Sequence, residues 1–301
     1  MTRLPDFFVI GANKGGTTSL DHYLGHHPQI YMSPRKEPHY FSLSDRRKED
    51  IPESWPYRHL LVPDWNEYLA LFENAGDALA VGESSTGYLS SEVAPKAIHD
   101  RIPGARLIAV LRHPVDRAYS NWLMYRRIKV EPLWDFEAAL ESEPERRRKD
   151  WPDGFYYRQL SLYGQSLQRW YDLFPAEQIR VYPYERLRDH PRELLRDVFT
   201  FLGVDPAVEF DISERLNAAP RPPRVASLAR LRRRTSGPVG LAKKVLPKSV
   251  RAGIGATLDS VNTVAPELPR GTRRRLVADF KEDLALLDRL TGGDFSRWAE
   301  D

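Results

Sequence analysis

The chain has no cysteine among its 301 residues, which excludes a disulfide framework and any thiolate metal site and fits a reducing compartment. No apolar run approaches the roughly 20 residues of a membrane-spanning helix, and no signal-peptide pattern precedes the first apolar stretch at Phe7. A cytoplasmic protein of bacterial economy is the expectation. A large net charge is lacking too, at +3, but Arg and Lys crowd at 221–251 and 270–275, which favours anionic ligands or surfaces. The run ERRRKD at 145–150 has no aromatic residue within it, so it reads as solvated surface and not as a nucleic-acid patch.

What is present is organised around FFVIGANKGGTTSLDHYL, Phe7 to Leu24. Four apolar residues read as a buried strand, Gly11 to Gly16 as a turn rich in backbone donors, and Thr17 to Leu24 as the start of a helix. A helix N-terminus leaves amides unpaired and carries partial positive charge, and glycines let the backbone approach an anion. Thr17, Thr18 and Ser19 add hydroxyls and Lys14 adds a full charge. The loop departs from the nucleoside-triphosphate pattern GxxxxGK[ST], because Thr17 occupies the place of its lysine and the only lysine is Lys14. A magnesium-dependent β/γ-phosphate clamp is therefore not expected.

With 41% hydrophobic residues the chain can build one large α/β domain with a C-terminal extension. The segment QIYMSPRKEPHYFS, 29–42, is too rich in proline for a helix and sets Lys36, Glu37 and His39 among aromatic residues. Such a cluster is a partly desolvated site in which a carboxylate can act as a base, or else an exposed loop with a Lys-Glu pair. Residues 43–63 read as a polar excursion, and Asp64 with Glu67 has capping-box spacing for a short helix. A second strand, 78–82, runs into Glu83, Ser84, Ser85 and Thr86, where open α/β sheets bind ligands. The strand RLIAVL, 106–111, delivers Arg112 at its carboxyl end, and Ser120 lies about two turns along the next helix. Further helices are expected at 134–140, 160–174, 190–202 and 273–290, with a strand at 178–182. Arg221 and Arg224 in NAAPRPPR sit on a proline-stiffened backbone and offer an anion clamp or a basic linker. The basic stretch 226–262 could touch an acceptor, a partner or a membrane surface peripherally.

Taken together, these motifs resemble the sulfotransferases that use 3'-phosphoadenosine 5'-phosphosulfate (PAPS), in the branch of the heparan sulfate sulfotransferases and their bacterial relatives. GANKGGTTSL at 11–20 is similar to the family's 5'-phosphosulfate loop, PRKEPHYFS at 34–42 to its catalytic-base segment, and LRHPVDRAYS at 111–120 to its 3'-phosphate segment. The resemblance covers about residues 5–224, followed by a variable basic segment at about 225–265 and a helix at about 270–291. It implies a P-loop-like α/β fold, a central parallel sheet with helices on both faces in a single domain.

The resemblance assigns Lys14 to the phosphosulfate bridge and Gly15, Gly16, Thr17, Thr18 and Ser19 to the 5'-phosphate. Arg112 and Ser120 would hold the 3'-phosphate, with Arg221 or Arg224 a further clamp. Glu37 would take the acceptor's proton, supported by His39, while Lys36, Glu83 and Ser84 line the acceptor side. PAPS would be the co-substrate and 3',5'-bisphosphoadenosine (PAP) the product, with no metal, and the acceptor a glycan, lipid or natural product. Animal members carry a lysine where this chain has Ser84, and also a membrane anchor and C-terminal cysteines, so a Golgi setting and a heparan acceptor do not transfer. The rival classes are a nucleoside-triphosphate kinase or GTPase and a non-enzymatic nucleotide-binding or interaction module.

Overall fold

Phe7–Gly11 (β1) is apolar throughout because it is the middle strand of a sheet covered on both faces. In this computed structural model, which describes residues 3–209 and 268–300 apart from 45–48, 50, 54 and 56, five parallel strands form one sheet. Thr17–Gly25 (α1) follows β1 and leads to the short strand Ile30–Met32 (β2). Then come Trp65–Ala70 (α2), Ala80–Ser84 (β3), Ala94–Arg101 (α3), Arg106–Leu111 (β4) and Pro114–Arg127 (α4). Phe136–Glu141 (α5), Glu143–Arg148 (α6) and Tyr163–Tyr171 (α7) precede the last strand, Ile179–Pro183 (β5). Tyr184–Asp189 (α8), Pro191–Leu202 (α9) and Arg270–Thr291 (α10) complete the helices.

The strand order is β2-β3-β1-β4-β5. The chain fills one side of β1 and then crosses to the other, so a crevice opens at the carboxyl ends of β1, β3 and β4. One face of the sheet carries a core of Leu20, Leu24, Leu194, Val198 and Phe199 from α1 and α9. The opposite face carries Tyr68, Ile98, Val115, Trp122, Leu167, Trp170, Phe280 and Leu284. α10 packs on α7 and α4, and its Asp283 carboxylate accepts the Gly164 and Gln165 amides at 2.8 and 2.9 Å, capping the start of α7 from outside. No helix among the described residues is long and apolar enough to cross a membrane.

Two local expectations change. Glu83 and Ser84 lie inside β3, paired with Phe8 and Val9, because the ladder to β1 continues past the apolar residues. The stretch 145–150 is not all solvated loop: Arg146 lies in α6 and is buried, its guanidinium meeting both oxygens of the buried Glu131 at 2.7 and 2.8 Å. Tyr157 donates to the same carboxylate at 2.6 Å, so the pair is paid for by a full set of hydrogen bonds. Arg221, Arg224 and the 226–262 stretch lie outside the described residues.

Candidate active site

The crevice is floored by the loop Ala12–Gly16, held on β4 by the Ala12 amide donating to the Val110 carbonyl at 2.8 Å. Gly15 is required by space: a Cβ there would lie 2.1 Å from Val110 O and 2.9 Å from Ala12 O, both backbone atoms that cannot swing aside. Gly16 has φ +89°, the left-handed region, and turns the chain into α1. Among the described residues no side chain caps α1, and no acid sits in its first turn, so its start keeps the partial positive charge that suits an anion. Thr17 is buried, Ser19 half-buried and Thr18 exposed at that end. Gly15→Ala should cost about 1–3 kcal/mol of stability and weaken anion binding about tenfold or more, read by thermal denaturation and calorimetry.

Lys14, at φ 70°, extends toward α4, with Nζ 3.5 Å from the Met124 sulfur. Burial, reinforced by Arg127, Arg112 and Arg117, pulls its ammonium down to about 8. A cation crowded by cations, with no carboxylate beside it among the described residues, attracts an anion. Arg112 leaves β4 with its guanidinium 5.6 Å from the Tyr184 ring centroid and in no ion pair among the described residues. Its backbone is braced twice. Tyr163 donates to the Arg112 carbonyl at 2.9 Å, and the next residue, His113, places Nε2 3.0 Å from the Trp298 carbonyl while its Nδ1 accepts the Val115 amide. The C-terminal segment thus holds the strand end from which Arg112 projects. Ser120 is half-buried on α4 next to Asn121. Asn121 accepts from Asn13 of the loop at 3.3 Å and donates to Gly154 O at 2.7 Å.

Across the crevice, β2 and β3 deliver the acidic cluster. Glu37, at φ 60°, receives Lys36 Nζ at 2.5 Å, His39 Nε2 at 3.1 Å, the Thr86 amide at 2.7 Å and the Thr86 hydroxyl at 3.0 Å. Burial pushes its carboxyl up, but Lys36 and His39 outweigh that and hold it well below the usual carboxylate range. His39 is raised in turn: burial works against the imidazolium, and the bond and charge of Glu37 overcome it. Asp21, one turn along α1 from Thr17, is pushed up to about 6 by burial, with Lys36 lowering it and Glu37 raising it. The Lys36–His39 segment therefore lies near the α1 start that follows the Ala12–Gly16 loop.

Glu83 has no exposed surface and meets Tyr68, Ser85 and Tyr88 hydroxyls beneath the base segment. Ser84 points to the other face of the sheet, its hydroxyl buried and without a partner among the described residues. Thr86, Asp21 and Asn121 were not singled out from sequence as site residues. Thr86 belongs to the hydroxyl run after β3 and could have been chosen from it, whereas nothing local marks Asp21 or Asn121 among helix residues.

The arrangement sets cations and an uncapped helix start along one wall and an ionised carboxylate along the other. The family model described as "Sulfotransferase family" matches residues 5–208. The mouse bifunctional heparan sulfate N-deacetylase/N-sulfotransferase 1 is 29% identical over 215 residues, 69% of this chain and 23% of that protein. The human bifunctional heparan sulfate N-deacetylase/N-sulfotransferase 3 is 30% identical over 221 residues, 71% of this chain and 24% of that protein. The chain spans about a quarter of the length of these curated relatives. A sulfotransferase from Alicyclobacillus acidocaldarius, known as a crystal structure, is 30% identical with a TM-score of 0.75, covering 98% of this chain and 99% of that one. With the family model spanning more than half of the chain and that structure following it almost end to end, the chain belongs to the sulfotransferase family.

Proposed function

We propose that the enzyme moves the sulfuryl group of PAPS to a hydroxyl, in preference to an amine, of a glycan, lipid or natural-product acceptor, with Glu37 as general base. The observation that carries this is the pairing of an acid-free, uncapped helix end beside Lys14 and Arg112 with an ionised carboxylate facing it. The residues fit the donor: Gly15 lets the loop lie close on β4, Lys14 is a cation lowered by burial and by neighbouring cations, and Arg112 is one of those cations, placed at the strand end beside Tyr184. PAPS would supply an activated sulfuryl group on a bridging oxygen.

The chain's own residues would then do five things. Gly15, Gly16, Thr17, Thr18 and Ser19 present amides and hydroxyls to the 5'-phosphate, and Arg112 with Ser120 takes the 3'-phosphate. Lys14 offsets the negative charge that grows on the departing oxygen. Thr86 and His39 fix the Glu37 carboxylate in orientation. Lys36, with its side chain 24% exposed, is the donor that an incoming acceptor hydroxyl can displace from Glu37, which makes the carboxylate more basic as the proton arrives. Sulfuryl transfer, like phosphoryl transfer, needs such in-line positioning and charge stabilisation more than covalent help.

Calorimetric titration without magnesium, using PAP against ATP, tests the reading. Tight binding of PAP alone is expected, weakened by about tenfold or more in Arg112→Ala, the scale of one charged hydrogen bond. Equal affinity for ATP, or an Arg112→Ala variant that binds PAP like the wild type, would reject it. The acceptor class is then found by screening candidate acceptors with labelled donor.

A further inference from the structure

Glu83 is a carboxylate with none of its surface exposed, and yet three hydroxyls converge on it: Tyr68 at 3.1 Å, Tyr88 at 2.7 Å and Ser85 at 2.7 Å. Two of these hydroxyls have a second task. Ser85 Oγ accepts the backbone amide of His39 at 3.1 Å, and Tyr88 Oη accepts the backbone amide of Phe41 at 3.2 Å. A hydroxyl that donates to a carboxylate becomes a better acceptor for the next donor, so each relay is polarised by Glu83. The His39 amide lies within the turn in which Glu37 and His39 both have positive φ, 60° and 57°, and the Phe41 amide lies just after it. Non-glycine residues hold that conformation only where the surroundings enforce it. The space beside them is equally defined, since a Cβ at Gly87 would lie 2.7 Å from the His39 ring.

We propose that Glu83 is the positioning residue of the base segment: through the Ser85 and Tyr88 hydroxyls it holds the His39 and Phe41 amides, so that the Glu37 carboxylate and the His39 ring keep their alignment with Thr86. Glu83 touches no reacting atom. It acts from inside the sheet, from β3, on the second half of the turn and the residues that follow it. The proposal rests on Glu37 being the base.

The groups that face Glu83 are His39 from the base segment, Tyr68 from α2, and Ser85 and Tyr88 from the turn after β3. Burial pushes its carboxyl up to about 7, while the Ser85, Tyr88 and Tyr68 bonds and the His39 charge pull it back. A protonated Glu83 would bring a fourth donor into a cluster that already holds three, which breaks one relay. Turnover is therefore expected to fall as pH drops through the neighbourhood of 7.

Glu83→Gln tests this. It should lower kcat by about tenfold or more, the cost of displacing a catalytic group slightly, while donor KM and PAP affinity stay within about twofold. The acid limb near neutrality should vanish in this variant, and combining it with Glu37→Gln should lower kcat no further than Glu37→Gln alone. Ser85→Ala and Tyr88→Phe keep the carboxylate and remove one relay each, so they serve if Glu83→Gln folds poorly, and each should lower kcat severalfold. Wild-type kcat and an unchanged pH profile in Glu83→Gln, or wild-type kcat in both relay variants, would overturn the proposal. So would a loss that adds fully to that of Glu37→Gln. If Glu37→Gln itself keeps its turnover, it is the base assignment that fails, and the single-variant profiles show which of the two has gone.

Discussion

Glu37→Gln is expected to lower turnover about 10²–10⁴-fold, the contribution of a positioned general base, and to leave PAP affinity within about twofold of the wild type. The substitution keeps the shape of the side chain, and its amide oxygen can still accept the Thr86 amide that now sits 2.7 Å from Oε2. What it removes is the negative charge. His39 loses the partner that raises it, and Lys36, 2.5 Å from Oε1, loses its counter-ion. Single-turnover assays with labelled donor beside calorimetry with PAP separate the two quantities, and near wild-type turnover would sink the base assignment. Because Lys36 and His39 hold Glu37 well below its ordinary 4.5, this carboxylate stays ionised through the neutral range. The Glu37 carboxylate therefore contributes stability above about pH 4.5 that is lost as acid protonates the folded state, whereas the contribution of the raised His39 is lost as pH rises through its folded-state value, and an acid activity limb near neutrality belongs to a group other than Glu37.

Lys14→Ala is the second large effect, with kcat reduced about 10²–10³-fold, the scale found for removing one donor to a developing oxyanion. In the proposed mechanism Lys14 also gives the donor site a pH signature of definite sign. Its free-enzyme ammonium, lowered to about 8 by burial and then by Arg127, Arg112 and Arg117, is protonated below that pH and neutral above it. An anionic donor favours the protonated form, so affinity is full below about pH 8 and falls as pH rises through it, with proton uptake on binding. Calorimetry in buffers of different ionisation enthalpy reads that uptake directly. Lys14→Arg, whose charge does not titrate in this range, should lose the alkaline limb even though it turns over poorly. A wild-type enzyme whose PAP affinity is flat from pH 7 to about 9.5 would contradict the role.

The strands that carry the crevice were legible in the sequence because a buried parallel strand is a continuous apolar run, as in FFVI and RLIAVL. The loop between β1 and α1 was legible because glycine, lysine and hydroxyl residues at a strand-to-helix turn have few other uses. β2 escaped: three residues, IYM, carry too little periodicity, and their pairing with β3 is a long-range contact that no local pattern announces. α6 escaped because its charges hid two buried members, Glu143 and Arg146, and the partner of Arg146, Glu131, lies 15 residues back.

The same division runs through the site. Residue types and order determined, by themselves, that an anion-binding loop, a Lys-Glu-x-His cluster and a strand-end arginine follow one another along an α/β chain. Those are local properties, set by helix-end polarity, glycine sterics and apolar periodicity. Only the tertiary structure decided that Glu83 lies buried beneath the base segment, that Thr86 meets the Glu37 carboxylate, and that Trp298 braces the residue after Arg112. The physical reason is that a carboxylate's ionisation and a hydroxyl's direction depend on partners dozens of residues away, brought within hydrogen-bond reach by the order in which the strands are laid beside β1.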